Sequence, residues 1–312
     1  MLHKRILPLM GNRFELSVVG DDATWAEACI DDAIAEIRRI ESLLTTFSDE
    51  SQTNRINRMA GIEPVQVDQE VLDLIDRSLN ISELTQGAFD ISYGSIDKRF
   101  WNFDTSMTQL PDRQEARNMV RLINYKNVCL DRAENTVFLK RKGMRIGFGG
   151  IGKGYAADRA KYILQQRGVE HGIVNAAGDL ITWGMSGSGD PWTVGIANPD
   201  HKYVPFSSLN ISNRAIATSG SYEKYVTIGG KRYAHTIDPK TGFPVSGIKS
   251  ASVIAPYAEL ADAMATPLMV MGVEAGLYLI NQLNYMACVL VDDNNRIYTS
   301  ANIRLNKTRP FC

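Results

Sequence analysis

The chain has 312 residues, with Lys+Arg 34 against Asp+Glu 35, a formal charge of -1, 44% hydrophobic and 22% charged residues. A chain this long can bury a sizeable core in one large or two medium domains, and the composition is that of a folded globular protein rather than a disordered one. Near neutrality excludes the basic field that draws nucleic acid, and Cys29, Cys129, Cys288 and Cys312, far apart and without a CxxC pair, exclude a disulfide scaffold and a thiolate zinc site.

The first ten residues carry positive charge but no long apolar stretch and no lipobox cysteine. They make a poor signal peptide, so the expected location is the cytoplasm, with an exported protein whose leader has been removed as the alternative. A strand is expected over 13–20. Asp21 and Asp22 then stand where an N-cap belongs, before a helix on which Trp25, Ile30, Ile34, Ile37, Leu43 and Leu44 keep roughly helical spacing. A second helix is expected over 69–84, with Val71, Leu72, Ile75 and Leu79 on one face, and a hairpin over 124–142. Beyond Arg145 strands predominate, over 172–183, 192–197, 208–218, 225–237, 250–254 and 285–299, interrupted by helices over 153–166 and 259–283. Gly229-Gly230 and 292–295 mark hairpin turns. The longest run free of both charge and strong polarity, roughly 263–273, is about half of the ~20 residues that a spanning helix needs. No repeat or Pro/Gly/Ser-rich linker divides the chain. This order of elements predicts an α+β fold with interleaved subdomains.

The most conspicuous short motif is Gly147-Phe-Gly149-Gly150-Ile-Gly152-Lys153-Gly154. It satisfies GxGxxG, and GxxxxGK as far as the lysine, but Gly154 stands where a P-loop needs Ser or Thr. A dinucleotide fingerprint also belongs in repeated βαβ units, which the strands downstream do not form. What survives is physical: glycines let backbone approach a ligand, and a helix N-terminus aims N–H groups at phosphate oxygens, with Lys153 adding a charge. The plainer reading is a tight strand-to-helix turn with a surface lysine.

Other segments carry candidate chemistry, each with a plainer alternative. Asp90, in Gly87-Ala88-Phe89-Asp90, is a ligand contact or a capping acid. His235, before the Asp238-Pro239 turn, is a general base or a structural histidine. Asp262 and Thr266, four apart on one helix face, are a hard-oxygen pair suited to Mg²⁺, or a first-turn acid plus a threonine bonded back to its own helix.

Taken together and in order, these segments resemble the ApbE family, the FAD:protein FMN transferases, over about 9–299. The carriers are Met10-Gly-Asn-Arg-Phe14, Leu43-Leu-Thr-Thr-Phe47-Ser-Asp-Glu-Ser51 with Asn57, Gly87-Ala-Phe-Asp90, Gly149-Gly-Ile-Gly-Lys-Gly-Tyr-Ala-Ala-Asp158, and Asn175-Ala-Ala-Gly-Asp179. The block 218–244 (Thr-Ser-Gly-x-Tyr, then His-x-Ile-Asp-Pro-x-Thr-Gly-x-Pro) and Ala261-Asp262 with Thr266 complete them.

The resemblance implies a single α+β catalytic unit, a mixed β-sheet interleaved with helical subdomains, spanning 1–312 with an ordered core near 9–300. It implies that FAD is cleaved at its pyrophosphate and FMN passes to a Thr or Ser hydroxyl of an acceptor flavoprotein carrying a flavinylation motif, releasing AMP. Water as acceptor, giving FMN and AMP, and FAD binding without catalysis are the alternatives. By the same resemblance Asp262, Thr266 and the Gly150 carbonyl would ligate Mg²⁺. Met10, Phe47, Ala88, Phe89, Asp90, Lys153 and Ile237 would line the FAD site, and His235 would take the acceptor's proton. The chain departs from the family in three places: Gly147 stands where an acid is usual, with Asp179 or water as substitutes; Phe47 stands where Tyr is frequent; and Ala177 replaces the first glycine of a pair.

Overall fold

The computed structural model describes residues 1–100, 103–196, 207–220 and 225–303. In chain order its elements are β1 (Leu2–Leu9), β2 (Asn12–Val19), α1 (Ala23–Leu44), α2 (Gln52–Arg58), β3 (Val65–Gln66), α3 (Gln69–Leu84), α4 (Arg113–Val120), β4 (Val128–Asp131), β5 (Thr136–Leu139), α5 (Gly152–Gln166), β6 (Gly172–Ala176), β7 (Asp179–Trp183), β8 (Thr193–Ile196), β9 (Ser207–Asn210), β10 (Ala215–Gly220), β11 (Tyr225–Ile228), β12 (Lys231–Ala234), β13 (Ile248–Ala255), α6 (Ala258–Met271), α7 (Val273–Asn281), β14 (Ala287–Asp292) and β15 (Ile297–Thr299).

The frame is an eight-stranded sheet of order β1-β2-β6-β7-β10-β13-β14-β15, and every pairing in it is antiparallel. A dinucleotide fold of the parallel kind is thereby excluded for the glycine motif. Helices α1, α5, α6 and α7 lie against this sheet. Their apolar stripes and the matching strand faces form the main core, while the β8–β9 hairpin and a smaller apolar cluster (Leu180, Val194, Ile196, Leu209, Ile216, Ile254) sit on the opposite side of the strands. Alternation along a strand decides which side each residue serves. On β7, Ile181 and Trp183 face the helices and Leu180 faces away, so Asp179 falls on the helix side. On β10, Ala215 and Ala217 face the helices, which puts Ser219 there too. Strand β13 is buried along its whole length because it is covered on both sides.

The expected first helix is α1, with Asp22 as its N-cap accepting from the Thr24 and Trp25 amides at 2.8 and 3.1 Å. The second expected helix is α3, and the 124–142 hairpin forms as β4–β5. Several expectations are corrected. A strand precedes 13–20: β1 is a sheet edge whose outward residues Leu2 and Ile6 are exposed and which carries Pro8 near its end, so its pattern is poorly apolar. The 172–183 stretch is two strands folded at Ala177-Gly178, both in the left-handed region at φ 57° and 104°. The 208–218 stretch also breaks, into β9 and β10, which belong to different sheets. The helix over 259–283 is two, α6 and α7, divided by Gly272 at φ 84°. The short helices α2 and α4 have too few turns to display a period.

Helices α5 and α6 cross closely. A Cβ on Gly154 would lie 2.2 Å from the Ala258 carbonyl oxygen, so only glycine permits this approach. One turn on, Asp158 accepts the first amides of α6, from Ala258 at 2.9 Å and Glu259 at 2.8 Å, and thus caps a helix whose own preceding residue, Tyr257, supplies no cap. Gly154→Ala is expected to destabilise the protein by about 1–3 kcal/mol, because the obstacle is backbone rather than a movable side chain. A lowered urea midpoint at unchanged slope would report it, and an unchanged midpoint would refute the packing reading.

Burial pushes the Asp158 carboxyl up to about 6, against the pull of the two amides it accepts. The folded chain therefore holds this proton between about pH 4 and 6, where the unfolded chain has released it, so this group's contribution to stability falls as pH rises through that window. Asp158→Asn should remove that component: melting temperatures of the variant should gain on the wild type from pH 4 to pH 7. A pH-independent difference between the two would refute it.

Candidate active site

The candidate residues converge because three loops meet around one cleft. The β1–β2 turn places Met10 at φ 50° and Gly11 at φ 67°, the pair of positive angles a two-residue hairpin turn needs. Methionine is an unusual occupant of the first position, and here it stands at the rim of a cleft. The end of α3 reverses through Gln86 and Gly87, at φ 52° and 81°, and delivers Ala88, Phe89 and Asp90. The glycine segment then runs past Phe89 into α5.

Together these segments enclose a cleft of about 780 Å³ whose lining includes Met10, Phe47, Ala88, Phe89, Asp90, Gly150, Lys153, His235, Ile237 and Thr266. Of the residues that the resemblance assigns to the FAD, metal and base roles, only Asp262 is missing from the lining; it lies just beneath, bonded to Lys153. Hypothetical Cβ atoms on Gly147 and Gly149 would meet nothing within 4 Å. That part of the segment offers bare backbone to the cleft, whereas Gly154 serves the helix crossing.

The inner end is electrostatically dense. Lys153, in the first turn of α5, places Nζ 2.9 Å from Asp179 Oδ2 and 3.2 Å from Asp262 Oδ1. Asp262 Oδ2 also accepts the Gly154 amide at 3.1 Å, and Asp179 accepts that of Thr218. Both acids are buried, at 5% and 6% exposure. Burial and the neighbouring Asp179 charge push Asp262 up to about 7, opposed by Lys153 and the Gly154 amide. Burial likewise raises Asp179. Burial works against the ammonium, but its two carboxylates outweigh it, and Lys153 remains protonated. One positive charge against two carboxylates leaves the cluster negative when both are ionised. Thr266, one turn beyond Asp262 on α6, shares a 2.8 Å hydroxyl–hydroxyl bond with Ser219 of β10. It is therefore bonded across to the sheet rather than back to its own helix.

Asp90 proves to be both a cleft residue and a cap. Its Oδ1 accepts from the Ser92 amide and hydroxyl at 2.8 and 2.6 Å, and its Oδ2 from the Tyr125 amide at 2.8 Å. Burial nonetheless holds its carboxyl above the usual range. His235 is exposed just after β12, its ring edge-on to Phe103 at 6.2 Å between centroids. The segment behind it is anchored where the Ile237 amide donates to Tyr93 Oη at 3.2 Å and Ile237 packs on Met119 and Val120 of α4. Phe47 is 99% exposed at the mouth. Its loop is held by Asn54 of α2, whose Nδ2 donates to the Thr46 and Ser48 carbonyls, both at 2.9 Å. Asn57, on the same helix, exchanges two hydrogen bonds with the Ile146 backbone, at 2.7 and 3.1 Å.

Sequence reasoning missed Tyr93 and Arg145, which also line the cleft, and the pairing of Ser219 with Thr266. No motif marks Tyr93 or Arg145. Ser221 and Tyr222, the end of the Thr218-Ser-Gly-Ser-Tyr motif, lie outside the described residues. Among the described residues no three His, Cys, Asp or Glu side chains gather as a metal cluster, and no helix is long and apolar enough to cross a membrane.

The ApbE family model matches residues 10–290. An FAD:protein FMN transferase of Klebsiella pneumoniae (strain 342) is 33% identical over 299 residues, 95% of this chain and 91% of that protein. One from Escherichia coli (strain K12) is 31% identical over 271 residues, 85% and 77% of the two chains. The crystal structure of the ApbE protein from Thermotoga maritima superposes with a TM-score of 0.85 at 28% identity, covering 96% of this chain and 97% of the other. With its sheet, its cleft and the order of its motifs, the chain belongs to the ApbE family.

Proposed function

We propose that this chain is a Mg²⁺-dependent FAD:protein FMN transferase that moves FMN from FAD to a Thr or Ser hydroxyl of an acceptor flavoprotein and releases AMP. The observation that carries this reading is the convergence, in one cleft, of residues drawn from segments more than 200 positions apart, Met10 and Thr266 among them. The names of the relatives support the same reaction class.

The inner end fits Mg²⁺ by its donor chemistry. Mg²⁺ takes hard oxygens, needs one or two carboxylates, and leaves its remaining positions to water and phosphate. Asp262 and Thr266 offer such oxygens on one face of α6, with the Gly150 carbonyl as the third protein donor, and with Asp179 and Asp262 both ionised the cluster's net negative charge favours a divalent cation. Bound there, the cation would neutralise charge on the phosphoryl group being transferred.

The protein's own groups then have separate tasks. Phe47 and Phe89 present aromatic and apolar surface to the planar rings of FAD. The open backbone at Gly147 and Gly149 lets the phosphates approach closely. His235 stands at the rim, where an imidazole nitrogen takes the proton from the acceptor hydroxyl as that oxygen bonds to phosphorus. The phosphorus–oxygen bond to the AMP half breaks in the same displacement.

Asp262→Ala should abolish Mg²⁺-dependent turnover while leaving the fold intact, since it removes the metal-binding carboxylate. His235→Ala should leave FAD affinity within a few-fold and slow transfer by about 10²–10⁴-fold. Both are read by incubation with FAD, Mg²⁺ and an acceptor, scoring denaturation-resistant flavin fluorescence on the acceptor together with AMP release. Retained turnover in Asp262→Ala removes that residue from the metal site. Free FMN without labelled acceptor makes water the acceptor and the chain a pyrophosphatase. FAD binding without AMP at any Mg²⁺ concentration removes both enzymatic readings.

A further inference from the structure

Lys153 has two carboxylate partners where one would neutralise it, and the two are not equivalent. Asp262 is the acid read above as a metal ligand, on the cleft-side helix α6. Asp179 opens β7, directly after the Ala177-Gly178 turn, where sheet pairing fixes its backbone and the Thr218 amide donates to its carboxylate. It is buried, contributes nothing to the cleft lining, and reaches that lining only through Lys153 at 2.9 Å. An acid so placed cannot touch a bound dinucleotide. It can decide where the ammonium rests.

The geometry points to Asp179 as a positioning residue, the standing counter-ion of Lys153 that keeps the ammonium from occupying Asp262 when a divalent cation binds there. This rests on the metal assignment proposed above. A cation entering at Asp262 must loosen contacts of 3.2 and 3.3 Å to Nζ. With Asp179 in place the ammonium keeps a buried partner while this happens. Without it, Asp262 is the sole anion of a half-buried lysine, and the metal has to displace that lysine outright. Asp179 thus acts on metal binding from behind the lysine, as outer-shell partners do.

The test is Mg²⁺ titration of the FAD-free protein, followed by calorimetry and by the rise in melting temperature that binding to the folded state produces. The wild type is expected to bind saturably and Asp179→Asn to bind about 10–100-fold more weakly. The double variant Lys153→Met with Asp179→Asn, which removes the competing ammonium as well, should return to within a few-fold of the wild type. If Asp179→Asn does not fold, the double variant, which deletes both charges together, carries the test alone. Wild-type affinity in Asp179→Asn overturns the inference, as does a double variant whose binding stays more than ten-fold weaker than the wild type. A wild type with no Mg²⁺ response overturns the metal assignment and this inference with it, whereas Mg²⁺ binding in the wild type with an unaffected Asp179→Asn removes only the role of Asp179.

Discussion

The site depends on how closely α5 can approach α6. With no side chain at Gly154, its amide comes within 3.1 Å of Asp262 Oδ2, and the residue before it, Lys153, is carried to the same carboxylate. Four residues after Gly154, on the same face of α5, Asp158 caps the start of α6. One helix face therefore fixes both the beginning of α6 and the position of its acid one turn in. The Lys-Gly-Tyr-Ala-Ala-Asp run looks like part of a phosphate loop, but its last glycine and its aspartate are instructions for a helix crossing. The glycines upstream, Gly147, Gly149 and Gly150, are the ones whose backbone lines the cleft.

The same contacts change the meaning of Lys153. In the sequence it reads as a point charge for a phosphate. In the fold its charge is already taken up by two buried carboxylates. An ammonium flanked by two acids offers little free positive charge to a phosphate, and the chain's net charge of -1 provides no general positive field; both are consistent with the divalent cation proposed above. Gly147 adds no charge to the cleft, and the two acids bonded to Lys153, Asp179 and Asp262, lie behind or beside it, while Asp90 lines the cleft separately.

How much of this was legible in the sequence varied with the physics of each feature. Periodicity revealed α1, α3 and the β4–β5 hairpin, because each has one buried face and clear caps or turns. It did not reveal β1, whose outward side chains meet solvent at the sheet edge, nor the short α2 and α4. It ran α6 and α7 together, because both are apolar and the only break between them is Gly272. Site residues were legible as a set only through the family resemblance. Nothing local connects Met10 with Thr266, which come to one cleft only through the tertiary fold. Asp179 lay in a recognised motif, yet its partnership with Lys153 follows from the alternation of β7 and the start of α5, which no single segment records. Asp90 shows the opposite case, where the capping and the cleft readings both hold in one side chain.

The two ends of the cleft are built with different degrees of rigidity, and that difference follows from their chemistry. The inner end is formed by helix and strand residues whose polar atoms bond to one another across α5, α6, β7 and β10, which holds their backbones in place. The outer end is a loop carrying Phe47, tied down through the side chain of Asn54 but leaving the ring almost wholly in solvent. An exposed aromatic ring has apolar surface to gain from a planar partner and little to lose in desolvation, so binding energy is available there. The inner end behaves in the opposite way, because its buried charges make every misplacement costly. A substrate gripped by its rings at the mouth and by its phosphates within would thus be held by affinity at one end and by geometry at the other. Under the proposed reaction, the acceptor would then enter at the rim beside His235 while the inner charged groups keep their places.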